Sequence, residues 1–204
     1  MKKWYIVFGV VLILALGSYF MLNQSSKDNS NNNMEKPNEN INAVENPRAT
    51  LETSMGNIVM EFYPEDAPKT VANFIGLAKK GYYDGVTFHR VVSGFVIQGG
   101  DPTGTGAGGD SIYGGDFEDE LNPSTESYKR GYTEGTVAMA NRGPDTNSSQ
   151  FFIMLDYKAM PKLYAIFGKV IEGGDVAQSI GKVQVDANDK PLQPVIINKV
   201  TVQE

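Results

Sequence analysis

The chain has 204 residues, 41% hydrophobic and 21% charged, which suits one globular domain with appendages and excludes a wholly disordered chain. Its formal net charge is −6 and no stretch clusters lysine and arginine, so a general affinity for phosphate backbones, and with it nucleic acid as a partner, is excluded. Cysteine is absent and histidine occurs once, at His89, which excludes disulfides, thiolate nucleophiles and zinc-thiolate sites and leaves no carboxylate cluster to hold a metal.

Met1-Lys2-Lys3 opens an apolar run from Trp4 to Leu22. As a helix rising ~1.5 Å per residue, the run would be roughly 28 Å long, close to the ~30 Å hydrocarbon core of a bilayer. Lys2 and Lys3 would stay on the cytoplasmic side and place the rest of the chain outside. Two readings stay open for residues 1–22. They form an uncleaved signal anchor, or a signal peptide cut after Ala15-Leu16-Gly17, before Ser18. Either predicts a bacterial protein outside the cytoplasm, anchored through residues 4–22 or secreted. Residues 23–46 are rich in Asn, Ser, Glu and Lys, too poor in apolar surface to fold, and predict a flexible tether. The folded domain is expected over 47–204.

Within that domain short strands alternate with turn residues. Ala49–Thr53 and Ile58–Phe62 flank Ser54-Met55-Gly56-Asn57, a hairpin signal. Asp66 is placed to cap a helix that has Pro68 in its first turn, carries Val71, Phe74, Ile75 and Ala78 at helical spacing, and stops at Gly81. Further strands are predicted at Thr87–Val92, Phe95–Gln98, Val137–Met139, Phe151–Met154, Ala165–Val170 and Val195–Val202, with a short helix near Asp175–Ile180. Roughly eight strands and two helices predict a mainly β fold, a closed barrel with helical caps.

Two motifs fail on context. Gly104, Gly106 and Gly109 match a dinucleotide fingerprint, but Asp110-Ser111-Ile112-Tyr113-Gly114-Gly115 cannot begin the helix such a site needs. Gly109-Asp110-Ser111 resembles an esterase nucleophile block, yet no histidine follows His89 to serve as its base.

Two longer blocks remain, Phe88–Asp101 (FHRVVSGFVIQGGD) and Met139–Ile153 (MANRGPDTNSSQFFI), followed by Phe167-Gly168-Lys169-Val170. In order and separation they closely resemble the signature blocks of cyclophilins, the peptidyl-prolyl cis/trans isomerases, over nearly all of 47–204. The resemblance implies an eight-stranded antiparallel barrel closed by two helices, with the proline site on its outer face. It implies Arg90 as the catalytic residue and Phe95, Val96, Met139, Ala140, Phe152 and Met160 along the substrate pocket. Gln98 and Gln150 match positions that bind substrate or orient the arginine, and Asn141 matches one that grips the peptide backbone. Tyr164 stands where the family often has histidine. The loop before it is one residue shorter than usual, and Ala159 is the nearest counterpart of a tryptophan on which cyclosporin binding leans, so weak cyclosporin binding is implied.

The chemistry implied needs no cofactor and no metal. The substrates are proline-containing unfolded or partly folded polypeptides, in particular exported ones, handled by a monomer. The alternative is a chaperone module that binds proline segments with little turnover. Arg90 favours the enzyme, since a binder has no need of it.

Overall fold

The computed structural model describes residues 45–204; the apolar run Trp4–Leu22 and the expected tether lie outside them, apart from Glu45 and Asn46. β1 (Arg48–Thr53) and β2 (Gly56–Phe62) form the expected hairpin. Its turn is held by the Thr53 hydroxyl, which donates to the Gly56 carbonyl (2.6 Å) and accepts from the Met55 amide (3.1 Å). Gly56 has φ +127°, a conformation that a side chain would strain.

Helix α1 (Pro68–Lys79) follows, but Asp66 does not cap it. Ala67 holds the cap position without a side-chain bond, and the Glu120 carboxylate accepts from the free amides of Lys69 (3.0 Å) and Thr70 (2.8 Å) instead. A carboxylate there also meets the positive end of the helix dipole. At the other end, the Gly81 amide bonds Ala78 and the Tyr82 amide bonds Leu77, with Gly81 at φ +69°. This is the paired termination that a glycine after a helix permits.

The remaining elements are β3 (Arg90–Val92), β4 (Val96–Gly99), α2 (Glu126–Arg130), β5 (Thr136–Met139), β6 (Phe151–Met154), β7 (Ile166–Glu172), α3 (Gly174–Ile180) and β8 (Ile197–Gln203). The strands make one antiparallel sheet in the order β3-β4-β6-β5-β7-β2-β1-β8.

Two expectations need correction. The sheet is a curled, open half-barrel rather than a closed barrel, and three helices accompany it rather than two. The edge strands β3 and β8 are not paired with each other; only the segment before β3 reaches β8, through a single bridge from Thr87 to Ile196 and neighbouring amide bonds. At β3 itself the Val91 amide is taken by the Asp189 carbonyl (2.8 Å), so a turn and not β8 covers that edge. The third helix, α2, is capped by Thr125, whose hydroxyl accepts from the Tyr128 amide.

The sheet curls around an interior of large aromatics. Phe74 of α1 lies 5.2 Å from Phe62, 4.8 Å from Tyr83, 5.4 Å from Phe151 and 5.6 Å from Phe167, ring centre to ring centre. Asn73, also buried, donates to the Ser148 carbonyl (2.7 Å) and accepts from the Ile112 amide (2.9 Å). One helix thereby holds both the interior and two of the loops that lead to the outer face.

Candidate active site

Side chains alternate across a strand, so β4, β5 and β6 each serve two faces. Ile97, Val137, Met139, Phe151 and Ile153 point into the interior. Val96, Ala138, Phe152 and Met154 point outward and form a second apolar cluster with Tyr132 and Ile166. Phe95, Ala140, Met160 and Tyr164 pack partly buried against it. Between them lies a cleft of about 250 Å³ lined by Arg90, Phe95, Val96, Gln98, Ala140, Asn141, Phe152, Met160 and Tyr164. That volume suits one side chain with its adjoining backbone, being smaller than the ~300–1,000 Å³ of drug-sized pockets.

One wall of the cleft is polar. Arg90 and Gln98 stand opposite each other on β3 and β4. The Gln98 amide donates to the Gln150 side-chain oxygen (3.0 Å), and the Gln150 amide donates to the carbonyls of Gly106 (3.0 Å) and Gly108 (2.7 Å). The glycine-rich loop is thus a scaffold for the two glutamines. It wraps its own carboxylate: Asp101, fully buried, accepts from the amides of Thr103, Thr105, Gly106 and Gly108 at 2.7–3.2 Å, and from the Thr103 hydroxyl. Burial alone would raise the Asp101 pKa, but these hydrogen bonds outweigh it and hold the carboxyl well below the usual carboxylate range. Gly100, at φ +90°, lies so close to the Ser149 backbone that a Cβ would strike its carbonyl oxygen.

The opposite wall is aromatic. Tyr164 meets Phe152 edge-on at 5.4 Å, and Tyr132 lies behind both, 6.4 Å from Phe152 and 6.2 Å from Tyr164. The Tyr132 hydroxyl donates to the Tyr164 carbonyl and accepts from the Tyr164 amide, both at 3.0 Å. Burial, with smaller opposing help from these bonds, pushes its pKa up to about 12, so it stays neutral across the physiological range. Asn141 ties the same loop from the other side, donating to the Leu163 carbonyl (2.9 Å) and to Asp119 (3.3 Å).

Of the residues singled out in the sequence, Arg90, Phe95, Val96, Gln98, Ala140, Asn141, Phe152, Met160 and Tyr164 come together on the cleft. Gln150 sits one layer behind it, supporting Gln98. Met139 is corrected: it lies opposite Phe151 and is wholly buried inside the barrel, so it cannot line the outer pocket. Tyr132 was missed, because it lies in Leu121–Gly135, a stretch without strand or helix periodicity; a large aromatic in such a stretch was its one signal. His89 is 7% exposed and lies off the cleft, with neither ring nitrogen hydrogen-bonded. Its pKa is lowered, mainly by burial.

Chemically the cleft offers an apolar slot, a fixed cation at its rim and an amide beside it. Among the described residues no group of three or more His, Cys, Asp or Glu could hold a metal ion.

Comparison with known proteins gives the family. A family profile described as cyclophilin type peptidyl-prolyl cis-trans isomerase matches residues 48–202. The chain is 52% identical over 152 residues to peptidyl-prolyl cis-trans isomerase ppi1 of Schizosaccharomyces pombe, covering 73% of this chain and 94% of that protein. It is 50% identical over 155 residues to the human peptidyl-prolyl cis-trans isomerase-like 1, covering 75% and 90%. Among solved structures, a cyclophilin type peptidyl-prolyl cis-trans isomerase of Cryptosporidium parvum, crystallised in the presence of the dipeptide Ala-Pro, is similar with a TM-score of 0.69. That match is 38% identical and covers 77% of this chain and 99% of the other.

These comparisons correct the expected cellular placement. Relatives at about 50% identity come from yeast, a plant and mammals, and no helix of the described residues is long and apolar enough to cross a membrane. The relatives therefore speak against the expected bacterial protein, anchored or secreted; the run Trp4–Leu22 on which the anchor rested lies outside the described residues.

Proposed function

The chain belongs to the cyclophilin-type peptidyl-prolyl cis-trans isomerases and carries that activity, and from this premise we propose that Arg90 is its catalytic residue and the apolar slot its proline site. Rotation about an X-Pro bond is opposed by ~18–20 kcal/mol because the C–N bond has partial double-bond character. When the bond twists, resonance is lost and the prolyl nitrogen regains a lone pair. The Arg90 guanidinium donates a hydrogen bond to that nitrogen and stabilises the twisted state over either planar one. Its planar fork gives directed donors. Phe95, Val96, Phe152 and Met160 hold the ring, while Gln98 and the Asn141 backbone hold the flanking peptide. The substrates are polypeptides exposing X-Pro bonds. The observation that carries this reading is a single guanidinium at the rim of a slot that has Phe95, Val96, Phe152 and Met160 on its apolar side and Gln98 and Asn141 beside them.

Magnetisation-exchange NMR on a proline-containing peptide gives affinity and isomerisation rate together. Arg90→Ala should lower kcat/KM by roughly 10²–10³-fold with affinity nearly kept, and Arg90→Lys should rescue only in part. Phe152→Ala should lower affinity and turnover together. Near-normal turnover in a folded Arg90→Ala protein would sink the mechanism and favour the binding module.

Cyclosporin belongs to the same proposal. The loop before β7 holds Ala159 and Met160 and no tryptophan, so cyclosporin should inhibit more weakly than it does a tryptophan-bearing member, by on the order of 2 kcal/mol. Equal potency in parallel titrations would refute this. The fragment 47–204 should fold and turn over alone, read as a cooperative thermal transition and activity of the purified fragment.

A further inference from the structure

We propose that Asp189 positions the Arg90 guanidinium, an inference that rests on the catalytic reading of Arg90. The Asp189 carboxylate lies 3.6 Å from Arg90 Nε, and this is the one ion pair Arg90 makes among the described residues. Its terminal nitrogens form no hydrogen bond to another described residue. A carboxylate on the Nε edge opposes rotation of the guanidinium plane and leaves the terminal donors free for the cleft. Arg90 thus enters the site already aimed, whereas a lone surface arginine would sample many rotamers.

The carboxylate's own position is built by the chain. Asp189 has φ +63°, in the left-handed region that Asp and Asn tolerate better than most residues. Its amide donates to the Asp186 carbonyl (3.1 Å), and its carbonyl accepts from the amide of Val91, the residue after Arg90 (2.8 Å). The Asp186 side chain accepts from the amides of Asn188 (2.8 Å) and Lys190 (3.0 Å), and Val185 bridges Pro191 at the base of the turn. Lys190 Nζ donates across to the Gly104 carbonyl (3.3 Å), joining the turn to the glycine-rich loop. The turn over residues 185–191 therefore delivers Asp189 to the arginine through a backbone bond to the arginine's own strand.

A merely structural ion pair would behave differently. Arg90 and Asp189 side chains are 40% and 44% exposed, so the pair adds little to stability. Its effect should appear in turnover. In the full chain, Asp189→Asn keeps the size and the left-handed backbone and removes the charge. It should lower kcat about 2- to 5-fold, within the span that exposed charge pairs can couple, with KM and melting temperature unchanged. Asp189→Gly, which relaxes the backbone, should lose kcat alike. The Arg90 Nε–H signal in NMR should broaden and exchange faster with water in both variants.

The double-mutant cycle decides. In an Arg90→Ala background, Asp189→Asn should cost nothing further. Full kcat in both Asp189 variants, or an equal loss with and without Arg90, overturns the positioning role while leaving Arg90 catalytic. Near-normal turnover of Arg90→Ala alone overturns the catalytic reading and this inference with it.

Discussion

The two faces of β4, β5 and β6 have similar composition and opposite uses. Inward, Ile97, Met139, Phe151 and Ile153 are sealed by α1 and the far strands. Outward, Val96, Ala138, Phe152 and Met154 are just as apolar, but among the described residues their cluster includes no helix residue. The inner face is completed mainly by packing, with Asn73 and Tyr83 hydrogen-bonding at its margin. The outer face stops short of completion, and its shape is kept by polar props: Gln98 on Gln150, Gln150 on the glycine-rich loop, and Tyr132 on Tyr164. On the proposed reading, a slot that must stay open for a proline ring cannot be filled by its own side chains. Hydrogen bonds set its walls where packing would have closed it.

Adjacent phenylalanines give the largest test of that contrast. Phe151 meets Phe74, Tyr83 and Phe88 edge-on within the interior. Phe151→Ala should cost about 3–5 kcal/mol of unfolding free energy, as truncation of a sealed core aromatic does. Phe152→Ala should cost about 2 kcal/mol or less, because the cleft lets water reach the space. Denaturant titrations of the two variants read this directly, and equal losses would mean that the faces are energetically one core.

Acid sharpens the comparison through Asp101. Its folded pKa is depressed, so the stability it contributes is full above the unfolded value of about 3.9 and is lost as pH falls below that. Stability should therefore be flat from pH 7 to 5 on its account and decline in stronger acid, and Asp101→Asn should flatten this acid limb. Urea midpoints measured at pH 3 and pH 6 check it. A steep limb surviving in the variant would place the acid sensitivity elsewhere.

The smallest effect is expected at Tyr132. Tyr132→Phe keeps the ring against Phe152 and removes two hydrogen bonds to Tyr164, at a cost of about 1 kcal/mol. Peptide affinity should weaken a few-fold as the loop before β7 loosens. Unchanged affinity would show that the aromatic wall stands by packing, as the inner face does.

Much of this was legible in the sequence. Phe88–Asp101 and Met139–Ile153 carried β3, β4 and β6 and seven of the cleft's nine lining residues, because most of the slot is built from these strands and the residues beside them. Met139 was misplaced for a physical reason: every residue of β5 is buried, so alternation between apolar and polar, the signal that tells faces apart, is missing there. Glu120 could not be read as the cap of α1, since about fifty residues separate it from the amides it serves. Closure of the barrel was equally hidden. Sequence shows strands but not which edge a turn such as 185–191 will occupy.

The pairing of β1 with β8 has a consequence for synthesis. Thr50 lies between Val59 and Thr201, so one edge of this early strand is satisfied at once by its hairpin partner and the other only some 150 residues later. As the chain leaves the ribosome, β1 and β2 can form a two-stranded ribbon with an open edge, which is marginal in water and a template for wrong pairing. The sheet cannot finish until β8 emerges. An isomerase of this design completes its own fold after translation has passed its last strand, and depends during that interval on whatever keeps an unpaired strand from finding a stranger.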